Sequence, residues 1–329
     1  MVNKLKKAEK LILGQLEKNA RMPYSKFKKI IGKSQQQISY TVTNMQKKEY
    51  IQGFYTLIDY SRLDVLNFRV YFNVTYRDKE KFEKLTQFFV DFPQTSWVAT
   101  CGGSYDLIVT FLAHNPSQFH KTLRIIMSRF PDQLNNYSVL TTTVIRIFGR
   151  KYFLNERKRE ADILLGGDRV PITLSRVDLN LLNYLATNAK MSALQLAEKL
   201  DITPKTVIEH IKKLEEEMVI KGYKPLVNAN KFGFRTRLLL IQYHNISKEV
   251  EEKLLKYLGT HNDVVSIVKT LGEWDIEIHI EVSSVDEIRK VEMEIRYKFA
   301  NLIKEIISIP IYKSYKRRYF PLFLLDEET

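Results

Sequence analysis

Apolar positions in the first sixty residues recur at helical spacing three times and then shift to the spacing of strands. Leu5, Ile12, Leu13 and Leu16 form one stripe. Pro23 opens a second helix with Phe27, Ile30 and Ile31 on its inner side, and Gly32 ends it. Ser34 is placed as the N-cap of a third helix, Gln35 to Lys48, whose Ile38, Val42 and Met45 bury one face. The run from Tyr50 to Tyr60, turning near Gly53, predicts a short wing of strands. Next come a half-buried strand at 68–76, a helix at 78–92, and strands at 95–101 and 105–113 joined through Gly102-Gly103. A second helix at 116–130 and a last strand at 134–148 complete the series. This β-α-β-β-α-β order predicts a ferredoxin-like sheet with both helices on one face, leaving its other face in need of a partner.

The pattern then repeats, 169 residues further on and without a gap. Asn19-Ala20-Arg21-Met22 recurs as Asn188-Ala189-Lys190-Met191, Ile51-Gln52-Gly53-Phe54 as Ile220-Lys221-Gly222-Tyr223, and Gly103-Ser104-Tyr105-Asp106 as Gly272-Glu273-Trp274-Asp275. In the second copy Thr203-Pro204 starts the third helix, and the sheet elements fall between 236 and 316. The chain is thus predicted to be α+β: two domains of three helices and a wing (1–62 and 171–232), two ferredoxin-like domains (63–153 and 233–329), and a linker at 154–170. Its two sheets are expected to pair as a pseudo-dimer within one polypeptide. The closing PLFLLDEET is expected to fray at its acidic end.

Composition narrows the classes. No run approaches the roughly 18 apolar residues of a membrane span, and the Lys-rich start lacks the apolar core of a signal peptide, so the expectation is a cytoplasmic protein with no membrane partner. One cysteine, Cys101, excludes an internal disulfide and reads as a small buried hydrophobe; the six histidines lack ligand spacing, so no metal is expected. Charge is unevenly divided. Residues 1–160 hold 27 Lys and Arg against 13 Asp and Glu, whereas residues 161–329 hold 25 of each, so the first copy carries the whole net charge of +14. Within it, residues 1–60 have 12 basic and 4 acidic residues, a density suited to a polyanion such as DNA.

A three-helix segment with a wing, followed by a sheet domain with a Gly-x-aromatic-Asp turn, resembles the leucine-responsive regulator (Lrp/AsnC) family of prokaryotic transcription factors. The resemblance covers nearly the whole chain twice and is most specific from Asp178 through Gly222, with Leu181-Leu182, Asn188-Ala189-Lys190, Leu196-Ala197, Thr203, Val207, Leu214 and Val219-Ile220. It implies a winged helix-turn-helix that binds double-stranded DNA and a sheet domain for pairing, further self-association and amino-acid sensing. Three departures stand out. Thr41 and His210 replace a recognition-helix arginine, Glu49 and Met218 replace a glycine at the helix end, and Lys28 and Lys33 stand where Ala and Leu are usual.

Candidate DNA contacts are Ser34 at the helix start, Gln36, Gln37, Tyr40 and Asn44 toward base edges, and Lys26, Lys28, Lys29, Lys33, Lys47 and Lys48 toward phosphates. Lys205 and Lys212 are their counterparts in the second copy, where Glu209, Glu215, Glu216 and Glu217 interrupt the basic face. Gly103, Ser104, Tyr105 and Asp106, with Gly272, Trp274 and Asp275, are candidates for holding an amino-acid effector; the competing account is a tight turn capped by the aspartate. The basic strand ends at Gly149-Arg150-Lys151-Tyr152 and Lys316-Arg317-Arg318-Tyr319 read as solvated. An enzyme is the rival class, because sirohaem decarboxylases use a similar paired scaffold. That chemistry needs converging His, Arg and Tyr residues; only His114 and His120 lie near each other in sequence, so the expectation is no enzyme, no catalytic residue and no cofactor.

Overall fold

The computed structural model describes residues 5–75, 78–153, 162–244 and 247–326. Each copy begins with three helices: α1 Lys7–Lys18, α2 Tyr24–Ile31 and α3 Gln35–Lys47, matched by α6 Arg176–Thr187, α7 Ala193–Leu200 and α8 Pro204–Glu216. Their starts follow the side chains available. Ser34 Oγ accepts from the Gln37 amide (3.2 Å) while Gln37 Oε1 accepts from the Ser34 amide (3.0 Å), a capping box. Thr203 caps α8 ahead of Pro204, which needs no amide partner in the first turn.

The predicted wing is not a hairpin. Residues Ile51–Ile58 (β1) run straight through Gly53 and pair antiparallel with Ile220–Val227 (β7), the equivalent segment of the other copy, with Phe54 opposite Pro225 and Thr56 opposite Tyr223. Gly53 sits at a register shift rather than a turn. A hairpin here would have arms of only a few residues, whereas a strand from the other copy gives one whole edge of an eight-residue backbone its hydrogen-bond partners. The two winged halves therefore share one ribbon.

The sheet domains contribute β2 Leu66–Val74, β3 Thr95–Cys101, β4 Leu107–Ala113 and β5 Leu134–Ile147 in the first copy, with helices α4 Lys79–Asp91 and α5 Pro116–Arg129. The second copy contributes β8 Arg235–Tyr243, β9 Val264–Leu271, β10 Ile276–Val282 and β11 Ile303–Arg317, with α9 Lys248–Thr260 and α10 Val285–Lys298. Within each copy the strand order is ferredoxin-like. The last strands are long enough to serve both sheets. β5 pairs with β2 through its first half and with β9 through Thr141–Ile147; β11 pairs with β8 up to Ile311 and with β3 from there to Arg317. The sheets consequently close into one eight-stranded barrel, with no free edge between the copies. Inside the expected linker, Ile163–Gly166 forms a strand, β6, beside the end of β5; residues 154–161 of that linker lie outside the described residues.

Helices α4 and α5 cover one outer core (Phe72, Phe89, Phe111, Phe119) and α9 and α10 the other (Leu254, Leu258, Val291, Ile295). Between the sheets, Tyr71, Trp97, Cys101 and Ile108 meet Leu238, Leu240, Trp274 and Ile309. Both faces of each sheet are thus buried, which answers the need for a partner read from the sequence. The PLFLL segment packs as well, with Leu324 and the preceding Phe320 buried in the core of the helical heads; residues 327–329 of the tail expected to fray lie outside the described residues.

The departures Glu49 and Met218 occupy matching left-handed positions, φ 58° and 60°, immediately after α3 and α8. An L-residue with a Cβ pays about 1–2 kcal/mol there, and glycine avoids that cost at the expense of a more flexible unfolded chain. Met218 is half exposed, so little packing is lost with its side chain. Met218→Gly is expected to stabilise the chain by up to about 1 kcal/mol, seen as a rise in the urea midpoint at unchanged m-value; a fall would show that the Met218 side chain contributes packing of its own.

Candidate nucleic-acid interface and central cavity

The repeated Asn-Ala-basic motif docks each head on the shared ribbon. Asn19 Oδ1 accepts from the Arg21 amide (2.8 Å) and Asn188 Oδ1 from the Lys190 amide (3.0 Å), which turns the chain after the first helix of each head. The Ala20 amide then donates to the Tyr223 carbonyl (2.9 Å) and the Ala189 amide to the Phe54 carbonyl (3.0 Å). Arg21 lies over the Tyr223 ring and Lys190 over the Phe54 ring, 5.3 and 4.9 Å from the centroids. Each head is therefore held by the strand of the other copy. Burial pushes Lys190 down to about 8, and Arg21 beside it acts in the same direction.

On the first head, Lys26, Lys28, Lys29, Lys47 and Lys48 are exposed and Lys33 half-buried. Among the described residues Lys26, Lys28, Lys29, Lys33 and Lys47 form no ion pair. On α3, Gln36 and Tyr40 are exposed and Asn44 half-buried, whereas Gln37 has its side-chain oxygen engaged in the cap with Ser34. The second head differs. Lys205 faces Glu209 at 3.9 Å and Lys212 faces Glu216 at 3.4 Å, so its cations are already opposed by acids one turn away. His210 points inward: its Nδ1 lies 2.6 Å from Oδ1 of the fully buried Asp178, whose other oxygen accepts from Ser175. Thus one helix is available to a polyanion and its twin is braced from behind.

The effector candidates lie in the strand connections. Asp106 Oδ2 accepts from the Val74 amide (2.8 Å) and Asp275 Oδ2 from the Tyr243 amide (2.7 Å), so each aspartate ties its turn to the neighbouring strand. Gly103 has a left-handed backbone and, with Ser104, is exposed, while Tyr105 is half-buried against Tyr71. Trp274 is buried in the inter-sheet core. A Cβ on Gly272 would come within 2.9 Å of the Val139 carbonyl, and Glu273 accepts from Ser138 Oγ (3.0 Å), so the second turn is pressed against the first copy.

Of the strand ends expected to be solvated, Gly149, Arg150, Arg317 and Tyr319 instead line a cavity of about 500 Å³ between the ribbon and one end of the barrel, while Lys151 donates to the carbonyls of Gly259 and His261 and Lys316 to that of Phe92. Arg150 bonds Glu17 (2.6 Å) and grips Glu281 through two nitrogens, each 2.9 Å away; Tyr152 also donates to Glu281. Arg69 pairs with Glu277 across the barrel. Arg317 lies 5.0 Å from the Trp97 centroid and 3.3 Å from the Tyr319 hydroxyl, and Tyr319 stacks on Tyr55. Burial alone would raise the Glu281 carboxyl, but the Arg150 guanidinium and the hydrogen bonds from Arg150 and Tyr152 hold it below its ordinary value. Burial pushes His279 down to about 4, leaving it a neutral imidazole. No such cluster stood out in the sequence, because its members lie on seven separate segments. The available signal was a comparison of the copies: Glu277, His279 and Glu281 alternate along β10 where β4 has Ile108, Thr110 and Leu112. His114, by contrast, sits away from the cluster against the Asp64 carbonyl (2.8 Å) and the Phe323 ring. The described residues contain no group of His, Cys, Asp and Glu able to hold a metal, and no helix long and apolar enough to cross a membrane.

A sequence profile described as winged helix-turn-helix DNA-binding matches residues 174–221, the braced second head. The HTH-type transcriptional regulator Ptr1 of Methanocaldococcus jannaschii is 31% identical over 129 residues, which are 39% of this chain and 86% of that protein. The leucine-responsive regulatory protein of Haemophilus influenzae is 38% identical over 121 residues, covering 36% of this chain and 72% of that protein. The chain belongs to the Lrp/AsnC family. These Lrp/AsnC relatives correspond to less than half the chain, consistent with two family units in tandem. Over its full length the fold is similar to that of the sirohaem decarboxylase NirDL, with a TM-score of 0.62 over 96% of this chain and 94% of that one at 13% identity.

Asp178 carries a pH-dependent share of stability. Burial would raise its carboxyl, but the bonds from Ser175 and His210 prevail and lower it below 3.8. The stabilisation is then full above about pH 4 and is lost as pH falls through the folded value. Asp178→Asn is expected to cost about 1–3 kcal/mol at pH 6, with the difference from the parent chain shrinking below pH 4; urea melts at both pH values check this, and a difference that grew in acid would contradict it.

Proposed function

We propose that the chain is a transcriptional regulator that binds one asymmetric site on double-stranded DNA, gripping with the first helix-turn-helix and orienting with the second. The observation that carries this is the contrast between the heads: lysines with no acidic partner among the described residues surround α2 and α3, while those of α8 face glutamates. Phosphate contacts dominate the affinity of such proteins, so the first head supplies most of the binding free energy. Gln36, Tyr40 and Asn44 are the side chains on α3 positioned to meet base edges, with Gln and Asn best matched to adenine. Because both heads dock on one ribbon, they address neighbouring major-groove segments about one helical turn apart.

In this reading the turns at Gly103–Asp106 and Gly272–Asp275 are structural, since their aspartates are spent on the adjoining strands. A catalytic reading is favoured by one observation, the convergence of His279, Arg69, Arg150, Arg317, Tyr55 and Tyr319 on the cavity. It remains second because the regulator relatives match in sequence where the decarboxylase matches in fold.

Replacing Lys28, Lys29 and Lys33 together by glutamate is expected to abolish specific DNA binding, and the corresponding alanine triple to reduce the salt slope by roughly 2–3. Replacing Lys205 and Lys212 should have a much smaller effect, and footprinting should show one strongly and one weakly protected half-site. Equal sensitivity of the two heads in a gel-shift titration would refute the asymmetric reading. For the catalytic alternative, sirohaem mixed with the chain should leave the visible spectrum unchanged over hours; a shift followed by product would reverse the ranking.

A further inference from the structure

Six cationic side chains and four carboxylates line the central cavity; Lys231 pairs with Glu49 at the rim and Lys313 is exposed at the mouth, which leaves Arg69, Arg150, Lys224 and Arg317 inside against Glu17, Glu277 and Glu281. Arg150 takes two of the carboxylates and Arg69 the third. Lys224 donates only to the main-chain oxygen of Glu17, and Arg317 has no carboxylate partner among the described residues. With His279 neutral, the chamber holds one positive charge in excess, and charge buried without a partner is costly. At the opposite extreme of polarity, Ile145, Val268, Leu238 and Trp97 make much of the remaining wall. The exposed residues Gln52, Asn230 and Lys313 mark its mouth.

We propose that this chamber is an effector site for a small organic acid, one carboxylate on an apolar body, with Arg317 as its anchor. The size lies within the usual range for small-molecule sites, roughly 300–1,000 Å³. A planar guanidinium fixed over Trp97 presents its donors to a carboxylate in two parallel bonds. The apolar part of the ligand then lies along the aliphatic wall, and the added negative charge neutralises the excess. The polar residues come from both copies but are not repeated between them: Arg69, Glu277 and Glu281 correspond to the apolar Leu238, Ile108 and Leu112. One ligand per chain follows.

The roof of the chamber gives the ligand a route to the heads. Tyr55 and Lys224 project from the ribbon, and the heads hang on the same ribbon through the carbonyls of Phe54 and Tyr223, one residue away. A ligand wedged under Tyr55 and Lys224 therefore changes the ribbon on which both heads are seated, and DNA affinity with it. This coupling rests on the DNA-binding reading above, whereas ligand binding itself does not. By linkage, the acid and DNA alter each other's affinity by the same factor.

The test uses the full chain and benzoate, phenylacetate and hexanoate as probes, each paired with its uncharged amide. Calorimetry is expected to show at least one acid binding with a stoichiometry of one and at least tenfold more tightly than its amide. Trp97 fluorescence should follow the same titration. Arg317→Leu should weaken that acid at least tenfold and Arg317→Lys less, both with the melting profile of the parent chain; if Arg317→Leu does not fold, Arg317→Lys and the acid-to-amide ratio still decide. Heat from none of the acids at millimolar concentration, equal binding of acid and amide, or binding untouched at Arg317 would overturn the site. A carboxylated macrocycle is the other source of the same chemistry. If sirohaem binds by its visible spectrum and no acid competes, the small-acid assignment fails. Gel shifts with saturating acid are expected to change DNA affinity at least fivefold. An acid that binds without altering DNA affinity overturns the coupling, and a chain that binds acid but no DNA overturns the proposed function alone.

Discussion

Two strands hold this molecule together. β5 and β11 each run past the edge of their own sheet and continue as the edge of the other, so neither sheet domain is complete without the opposite copy. Backbone amides and carbonyls must be paired once they leave water, and an edge strand left open is a site of unwanted association. Closing the barrel removes both problems together. It also fixes the spacing of everything mounted on the barrel: the ribbon across one end, the heads on the ribbon, and the chamber beneath it.

The ribbon obeys the same logic on a smaller scale. Its two strands come from corresponding segments, and each supplies the carbonyl on which the other copy's alanine lands. The heads are therefore exchanged in contact though not in connectivity. Bonds of this kind are modest individually, about 0.5–1.5 kcal/mol net, and their value here is geometric. They leave the heads one orientation relative to each other.

Much of this was legible in the sequence. Stripes such as Ile38, Val42 and Met45 gave the helices, alternation gave the strands, and the internal repeat gave the pairing of sheets. Caps at Ser34 and Thr203 gave helix starts because the relevant bonds are local. What could not be read was set by long-range pairing. A strand pattern at Ile51–Ile58 says that the backbone wants a partner but not which one, so a local hairpin looked sufficient. Arg150 and Arg317 looked like solvated strand ends because basic residues usually are. Their burial depends on Glu17 and Glu281 from distant segments, and on Trp97, none of which is near in sequence. The Asn-Ala-basic motif was visible as a repeat, but its use as the seat of each head emerges only when the opposite strand is present.

Joining two family units in one chain has a physical outcome that a pair of separate subunits cannot reach. In a symmetric assembly every substitution appears twice, so an arginine at 69 facing a glutamate at 277 would bring with it a second buried pair at 238 and 108. Here the interior carries Arg69 opposite Glu277 on one side and Leu238 near Ile108 on the other. The tether also removes mass action from the problem: at nanomolar concentrations, where many dimers fall apart, the two unlike heads still arrive together in a ratio of one to one.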